Sequence, residues 1–386
     1  MKLNRAGLAA GVLVATAALA ACSSSSTGGS STSTTAGGSS TPATTSTSAS
    51  ASASTAGAAP TCSTGTLNGE GSTAQTNAMT AWINAYTKAC SGAKINYNPT
   101  GSGAGVSSFT GGQVDFAGSD SALDPAKGEP AAAAKRCGSP ALDLPMVVGP
   151  IAIGYKLNGV NKLVLTPELI AKIFTGKIKT WNDPAIAAKN SGVKLPSTAI
   201  NVVYRSDASG TTQNFEKYLS KTDPADFTAK PAKDNAAKVF AGQGKAKSQG
   251  VAAAVGSTEG SIGYMEYSFA AGASLATVSV DSGAGPVDVS KDSASVAAGT
   301  ATIKGTGDDL SLSIDYKPSA AGAYPIILVT YEVVCTKYKS TATGTFVKNF
   351  LNYTVDGGQS ALAGLGYAPL PAALQAKVKA SIAKIS

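Results

Sequence analysis

The chain has 386 residues, of which 43% are hydrophobic, 14% charged and 6% aromatic, with 31 basic against 23 acidic side chains. It contains no histidine, which excludes Ser-His-Asp and Cys-His triads, an imidazole base and the usual nitrogen-ligated zinc sites. The net charge of +8 is spread thinly, without a window of clustered Lys and Arg between aromatics, so a small anion is expected as partner and nucleic acid is not.

Lys2 and Arg5 precede a small and apolar run from Ala6 to Ala20 that only Thr16 interrupts. This is an export signal. As a helix it reaches about 22 Å against a hydrocarbon core of roughly 30 Å, too short for a membrane span. Leu19-Ala20-Ala21-Cys22 resembles the bacterial lipobox; on that resemblance residues 1–21 are a lipoprotein signal peptide, and Cys22 carries a palmitate-type lipid at the outer face of the cell membrane. After Cys22, residues 23–60 are Ser, Thr, Ala, Gly and Pro alone. They cannot bury enough apolar surface to order themselves, so residues 22–60 read as a disordered tether with a reach of roughly 35 Å.

The folded body then alternates short β-rich runs with helical patterns, as in a sheet covered by helices. Thr66-Leu67-Asn68 reads as a strand, and Thr73 to Ala89 as a helix with Met79, Trp82, Ile83 and Tyr86 on one face. A strand at Lys94 to Asn98, a loop from Thr100 to Gly105, a short helical stretch from Val106 and a strand at Val114 to Ala117 follow. Leu144 to Leu157 and Tyr324 to Cys335 read as long strands buried on both faces. Between them, Thr166 caps a helix that starts at Pro167 and ends at Gly176. Strand Ile200 to Tyr204 leads into Arg205-Ser206-Asp207-Ala208-Ser209-Gly210-Thr211 and a helix carrying Phe215, Tyr218 and Leu219.

Three of these strand-to-helix junctions share one chemistry: Gly71-Ser72-Thr73, Gly101-Ser102-Gly103 and Ser209-Gly210-Thr211. Glycine admits a ligand close to the backbone, the first helical N–H groups point outward unpaired, and a hydroxyl adds a donor. Arg205, at a strand end, can clamp an oxyanion while Asp207 holds its side chain. Asp120 follows a strand at the carboxyl edge of the sheet, where ligands bind in open α/β folds. A carboxylate beside an anion requires an anion with its own proton. Hydrogen phosphate has an O–H to donate and fully ionised sulfate has none.

Gly-Glu-Gly-Ser-Thr (69–73), Gly-Ser-Gly-Ala-Gly-Val (101–106), Val-Asp-Phe-Ala-Gly-Ser-Asp (114–120), Ile-Phe-Thr-Gly-Lys-Ile-Lys-Thr-Trp-Asn-Asp-Pro-Ala-Ile (173–186), Tyr-Arg-Ser-Asp-Ala-Ser-Gly-Thr-Thr (204–212) and Gly-Ser-Ile-Gly-Tyr (260–264) together resemble the substrate-binding lipoproteins of bacterial phosphate ABC transporters. The resemblance implies a class II periplasmic-binding-protein fold of two α/β lobes joined by two crossing strands, with residues 61–147 and 324–386 as lobe I and 148–323 as lobe II. It implies phosphate contacts at Thr73, Ser102, Asp120, Arg205, Ser209, Gly210 and Thr211, Asp207 in support of Arg205, no cofactor or metal, and no catalysis. The implied partners are inorganic phosphate, the permease subunits and ATPase of the transporter, and a membrane through the lipid anchor, the receptor itself being a monomer. Ala74 departs from the pattern, standing where relatives often have a bulkier residue, with its N–H still able to donate. Residues 272–322 match the family poorly and read as a surface elaboration. The competing readings are an extracellular phosphate-ester hydrolase and a cell-surface adhesion protein on the same fold. A transporter ATPase is excluded, because the chain has no Gly-x-x-x-x-Gly-Lys-Ser/Thr segment.

Cys62, Cys90, Cys137 and Cys335 remain once Cys22 is assigned to lipid, an even number in an exported protein. Geometry selects among their three pairings. From Cys62 to Gly69 an extended chain advances about 23 Å, and a helix from Ala74 to Ala89 returns about 24 Å. Cys62 is therefore expected to bond Cys90, leaving Cys137 for Cys335.

Overall fold

The computed structural model describes residues 59–386; the expected signal peptide, the expected lipid site Cys22 and nearly all of the expected tether lie outside the described residues. The body opens with strand β1 (Gly65–Gly71), helix α1 (Thr76–Ala89), β2 (Ala93–Asn98), α2 (Ser102–Thr110), β3 (Phe116–Ser119), α3 (Glu129–Cys137) and the long β4 (Ala141–Lys156). There follow β5 (Leu163–Leu165), α4 (Pro167–Phe174), α5 (Pro184–Lys189), β6 (Asn201–Arg205), α6 (Gly210–Thr222), α7 (Ala236–Val239), β7 (Gln243–Lys245), α8 (Lys247–Ser257), β8 (Ser261–Glu266) and α9 (Tyr267–Gly272). The chain closes with β9 (Ala276–Asp281), β10 (Pro286–Val287), α10 (Lys291–Ala298), the two-stranded β11 (Thr302–Ile303) and β12 (Leu312–Ser313), β13 (Ile327–Cys335), α11 (Thr341–Val355) and α12 (Ala372–Ala383).

The main sheet runs β2-β1-β3-β13-β4-β8-β6-β7, with β9 added on β4. Its two ends are parallel, β1 with β2 and β3, and β6 with β8 and β7. The middle is antiparallel. β4 pairs β13 from Ala141 to Pro150 and β8 from Ile151 to Lys156, so one strand serves two lobes. Two buried clusters form on either side of that change of partner. Trp82, Phe109, Phe116, Leu144 and Phe350 belong to the first, and Ile153, Phe174, Trp181, Phe215 and Tyr264 to the second. The apolar runs around Leu144–Leu157 and Tyr324–Cys335 are thus the two crossing strands. Tyr324 itself lies before β13, where its N–H donates to the Ser293 carbonyl and its hydroxyl to the Ile151 carbonyl.

Several boundaries differ from the sequence reading. α1 starts at Thr76, not Thr73, because Ser72 to Gln75 make a turn in which the Thr76 N–H donates to the Thr73 carbonyl. α2 begins at Ser102, four residues before Val106. The strand read at 114–117 is shifted to Phe116–Ser119. Residues 272–322 are more than surface. Val278 and Val280 are buried in the second cluster, while α10 and the β11–β12 pair, within the range 148–323 expected for lobe II, place Ala294, Ala297, Leu310 and Leu312 in the first cluster. Cys62 bonds Cys90 with Cα atoms 5.3 Å apart, and Cys137 bonds Cys335 at 5.4 Å, the pairing that the strand and helix lengths require.

Candidate anion-binding site

Two helix starts and two strand ends meet where the lobes face each other. On the first lobe, Gly101 has φ +113°, and a Cβ there would lie 2.6 Å from Asp207 Oδ2 on the opposite lobe. Ser102 then opens α2. On the second lobe, Ser209 caps α6, its hydroxyl accepting from the Thr212 N–H at 3.2 Å. Gly210 follows, so close to the first lobe that a Cβ would meet Asp120 Cβ at 2.7 Å and Ser102 Oγ at 2.8 Å. α6 is held in place by aromatic packing. Phe215 stacks on Tyr264 with centroids 4.6 Å apart, and the Tyr264 hydroxyl pairs with Thr212 Oγ1 at 2.6 Å and accepts from the Arg205 N–H at 3.2 Å.

Asp120, only 2% exposed, accepts from four hydroxyls. Oδ1 takes Ser72 and, at 2.9 Å, Thr330; Oδ2 takes Thr211 at 3.0 Å and Ser102 at 3.3 Å. Asn214 of α6 donates to the Asp120 carbonyl at 2.7 Å, and Tyr316 donates to Asn214 at 2.7 Å. Arg205 is equally buried. Its Nε and Nη2 fork onto Asp207, and Nη1 reaches Ser248 Oγ at 3.3 Å. Burial pushes the Asp207 carboxyl up, but the Arg205 guanidinium and the Lys247 N–H, 2.8 Å away, outweigh it and hold the group below the usual range. Lys247 adopts φ +66° to aim that N–H. Across the cleft, Thr73 Oγ1 lies 3.1 Å from Ser248 Oγ, and the Gly103 N–H donates to the Ala208 carbonyl at 2.9 Å.

The residues singled out in the sequence therefore come together. Ser102, Asp120, Gly210 and Thr211 make one group, and Thr73, Arg205 and Asp207 make a second through Ser248. Ser209 stands one step back as the cap of α6. The Ala74 N–H, expected to be able to donate, does so to Ser72 Oγ at 3.1 Å. Sequence reasoning missed the roles of Ser72, Asn214, Ser248 and Thr330. Ser72 was legible within the first glycine junction, and Ser248 follows a strand end in the same manner as Ser209; Thr330 lies inside a mostly apolar strand.

Two further carboxyls lie behind Asp120. Burial, together with the nearby charge of Asp120, raises Glu332 well above the carboxylate range and Glu266 to about 8. Asp120 thus faces four hydroxyls, and Arg205 is the buried cation on the facing lobe. Such a set suits a tetrahedral oxyanion. Arg205, the hydroxyls and the N–H groups at the starts of α2 and α6, other than those of Gly103 and Thr212, donate, while Asp120 accepts.

A family model described as a PBP superfamily domain matches residues 25–357. Phosphate-binding protein PstS 3 of Mycobacterium leprae (strain TN) is 47% identical, the match covering 81% of this chain and 85% of the relative. Its counterpart in Mycobacterium tuberculosis (strain ATCC 25618 / H37Rv) is 45% identical over 83% of this chain and 87% of its own. A solved high affinity periplasmic phosphate-binding protein (PfluDING), bound with phosphate, shares the fold with a TM-score of 0.68 at 24% identity, covering 82% of this chain and 93% of the other. The chain belongs to the periplasmic-binding-protein superfamily and, within it, to the PstS phosphate-binding proteins.

Proposed function

We propose that the protein is the extracytoplasmic receptor of a phosphate ABC importer, closing its two lobes on one hydrogen phosphate. It binds its ligand and releases it unchanged; it is not an enzyme. The observation that carries this reading is the buried Asp120 with its four hydroxyls. Hydroxyl protons rotate freely about their C–O bonds. When a phosphate O–H donates to Asp120, the Ser102 and Thr211 hydroxyls can turn from Asp120 to the ligand's ionised oxygens. Arg205, locked by Asp207, supplies the fixed positive charge, Thr73 and the N–H groups of Gly210 and Thr211 complete the donors, and Ser209 keeps α6 capped. Sulfate would set an ionised oxygen against Asp120 with no proton between them. Titration calorimetry of phosphate-stripped protein should show tight phosphate binding and no comparable response to sulfate; equal affinities would sink the role of Asp120.

β4 and β13 act as the hinge between the lobes, and closure reports the loaded state to permease subunits that work with an ATPase. Lipid on Cys22 and the tether of residues 22–60 keep the receptor at the outer face of the membrane. Cys22→Ser should release the protein to the soluble fraction or leave an uncleaved precursor. Membrane retention at unchanged mass would rule out lipid at that residue.

A further inference from the structure

Beside the anion site lies a cavity of about 420 Å³, with Asp120 and Asn214 in its wall. Lys217 and Lys221 of α6, Lys230 of the following loop and Lys304 of the β11–β12 segment also line it. The four lysines come from both sides of the cleft, since the residues flanking Lys304 pack on the first cluster and α6 on the second. Among the described residues none of the four lies within ion-pair distance of a carboxylate. Their neighbour Lys233 shows the contrast, buried against Glu129 at 3.2 Å. Asp124, the other acid in the wall, is engaged in capping its own turn through the Ala126 N–H.

Like charges gathered without ion-pair partners repel one another, and burial with Lys304 and Lys233 nearby outweighs the opposing charge of Asp124 and pushes the Lys217 ammonium down to about 8. An anion would relieve that repulsion. Walls of low dielectric focus the field of such a group toward incoming ligands. Lysine ammonium groups are strongly hydrated point charges on flexible stems, suited to holding an anion loosely and letting it go. On the inner side, Tyr316 and Asn214 form a hydrogen-bonded bridge from the cavity wall to the Asp120 carbonyl.

We propose that this lysine-lined cavity is a second, exchangeable oxyanion site, an antechamber that gathers phosphate before it reaches Asp120. The inference rests on the phosphate reading above. It predicts that the lysines set the association rate and leave dissociation alone. Association of radiolabelled phosphate with the whole chain, followed by rapid filtration, should slow by about tenfold or more between about 0.01 and 0.15 M salt, as the Debye length falls from about 30 to about 8 Å. The variant carrying Lys217→Gln, Lys221→Gln and Lys304→Gln should associate about tenfold more slowly at low salt and lose most of that salt dependence, with dissociation unchanged within about twofold. Lys304→Glu alone, at an exposed position, should act in the same direction without demands on folding. Association that is independent of salt, or unaltered in both variants, would overturn the antechamber while phosphate binding stood. A wild-type protein that takes up no phosphate at all would overturn the phosphate reading and the antechamber together.

Discussion

The two buried charges of the site are stabilised in opposite ways. Asp120 on the first lobe has, among the described residues, no cation within ion-pair distance and is surrounded by the hydroxyls of Ser72, Ser102, Thr211 and Thr330. Arg205 on the second lobe is forked onto Asp207, which is itself fixed by the Lys247 N–H. A salt-linked guanidinium has one orientation and one charge state. A hydroxyl ring can reverse its donors without moving a heavy atom. The second lobe therefore supplies a rigid clamp and the first an adjustable cup, so affinity should depend most on the one and selectivity on the other.

Removing the clamp should cost most. Arg205→Ala removes the buried guanidinium and leaves the half-buried Asp207 without its partner, and phosphate affinity measured by calorimetry should fall by about 2 to 5 kcal/mol. A loss under about 1 kcal/mol would mean that the clamp is not the main source of affinity. Asp120→Asn probes the cup. Phosphate binding should weaken by about 1.5 to 3 kcal/mol, the range for a hydrogen bond to a charged group, while sulfate binding stays level or improves, which narrows the ratio of the two constants. Unchanged discrimination would remove the distinction between clamp and cup. Gly210→Ala tests whether the two must touch, since its Cβ would press on Asp120 and Ser102. An overpacking cost of about 1 to 3 kcal/mol in phosphate affinity is expected, with the unliganded protein's thermal unfolding changed far less; equal losses in both would locate the effect in folding and not in closure.

Much of this site could be read from the chain because its parts are local. A glycine and a hydroxyl at a strand end announce a helix start that faces a ligand, so Ser102, Gly210 and Thr211 were found without any tertiary knowledge. Arg205 and Asp207 are two residues apart, close enough to be paired on sight. The disulfides followed from the lengths of one strand and one helix. Thr330 could not be found this way. It reaches Asp120 across 210 positions of sequence, and a hydroxyl among Val329, Tyr331 and Val333 looks like an ordinary β-former. Ser248 was hidden because its junction begins with Lys247 in a left-handed conformation that is normally read from glycine. The start of α1 was misplaced because helix propensity in Thr73 to Gln75 yields to the turn that brings Ser72 to Asp120. The partner of α10 was beyond reach too, since a run of alanines and serines fits either lobe.

The Cys137–Cys335 bond, at a sequence separation of 198, fastens the outer ends of the two crossing strands. Every residue of the second lobe lies inside the covalent ring that it closes. In the chain-entropy account a ring of that size restricts the unfolded state by about 5 kcal/mol. It has a further effect on an extracytoplasmic protein, should the chain be cut. A single cut in an exposed loop of the second lobe separates the chain into two pieces that remain covalently joined at the base of the hinge, so the clamp can be nicked without being shed from the cup.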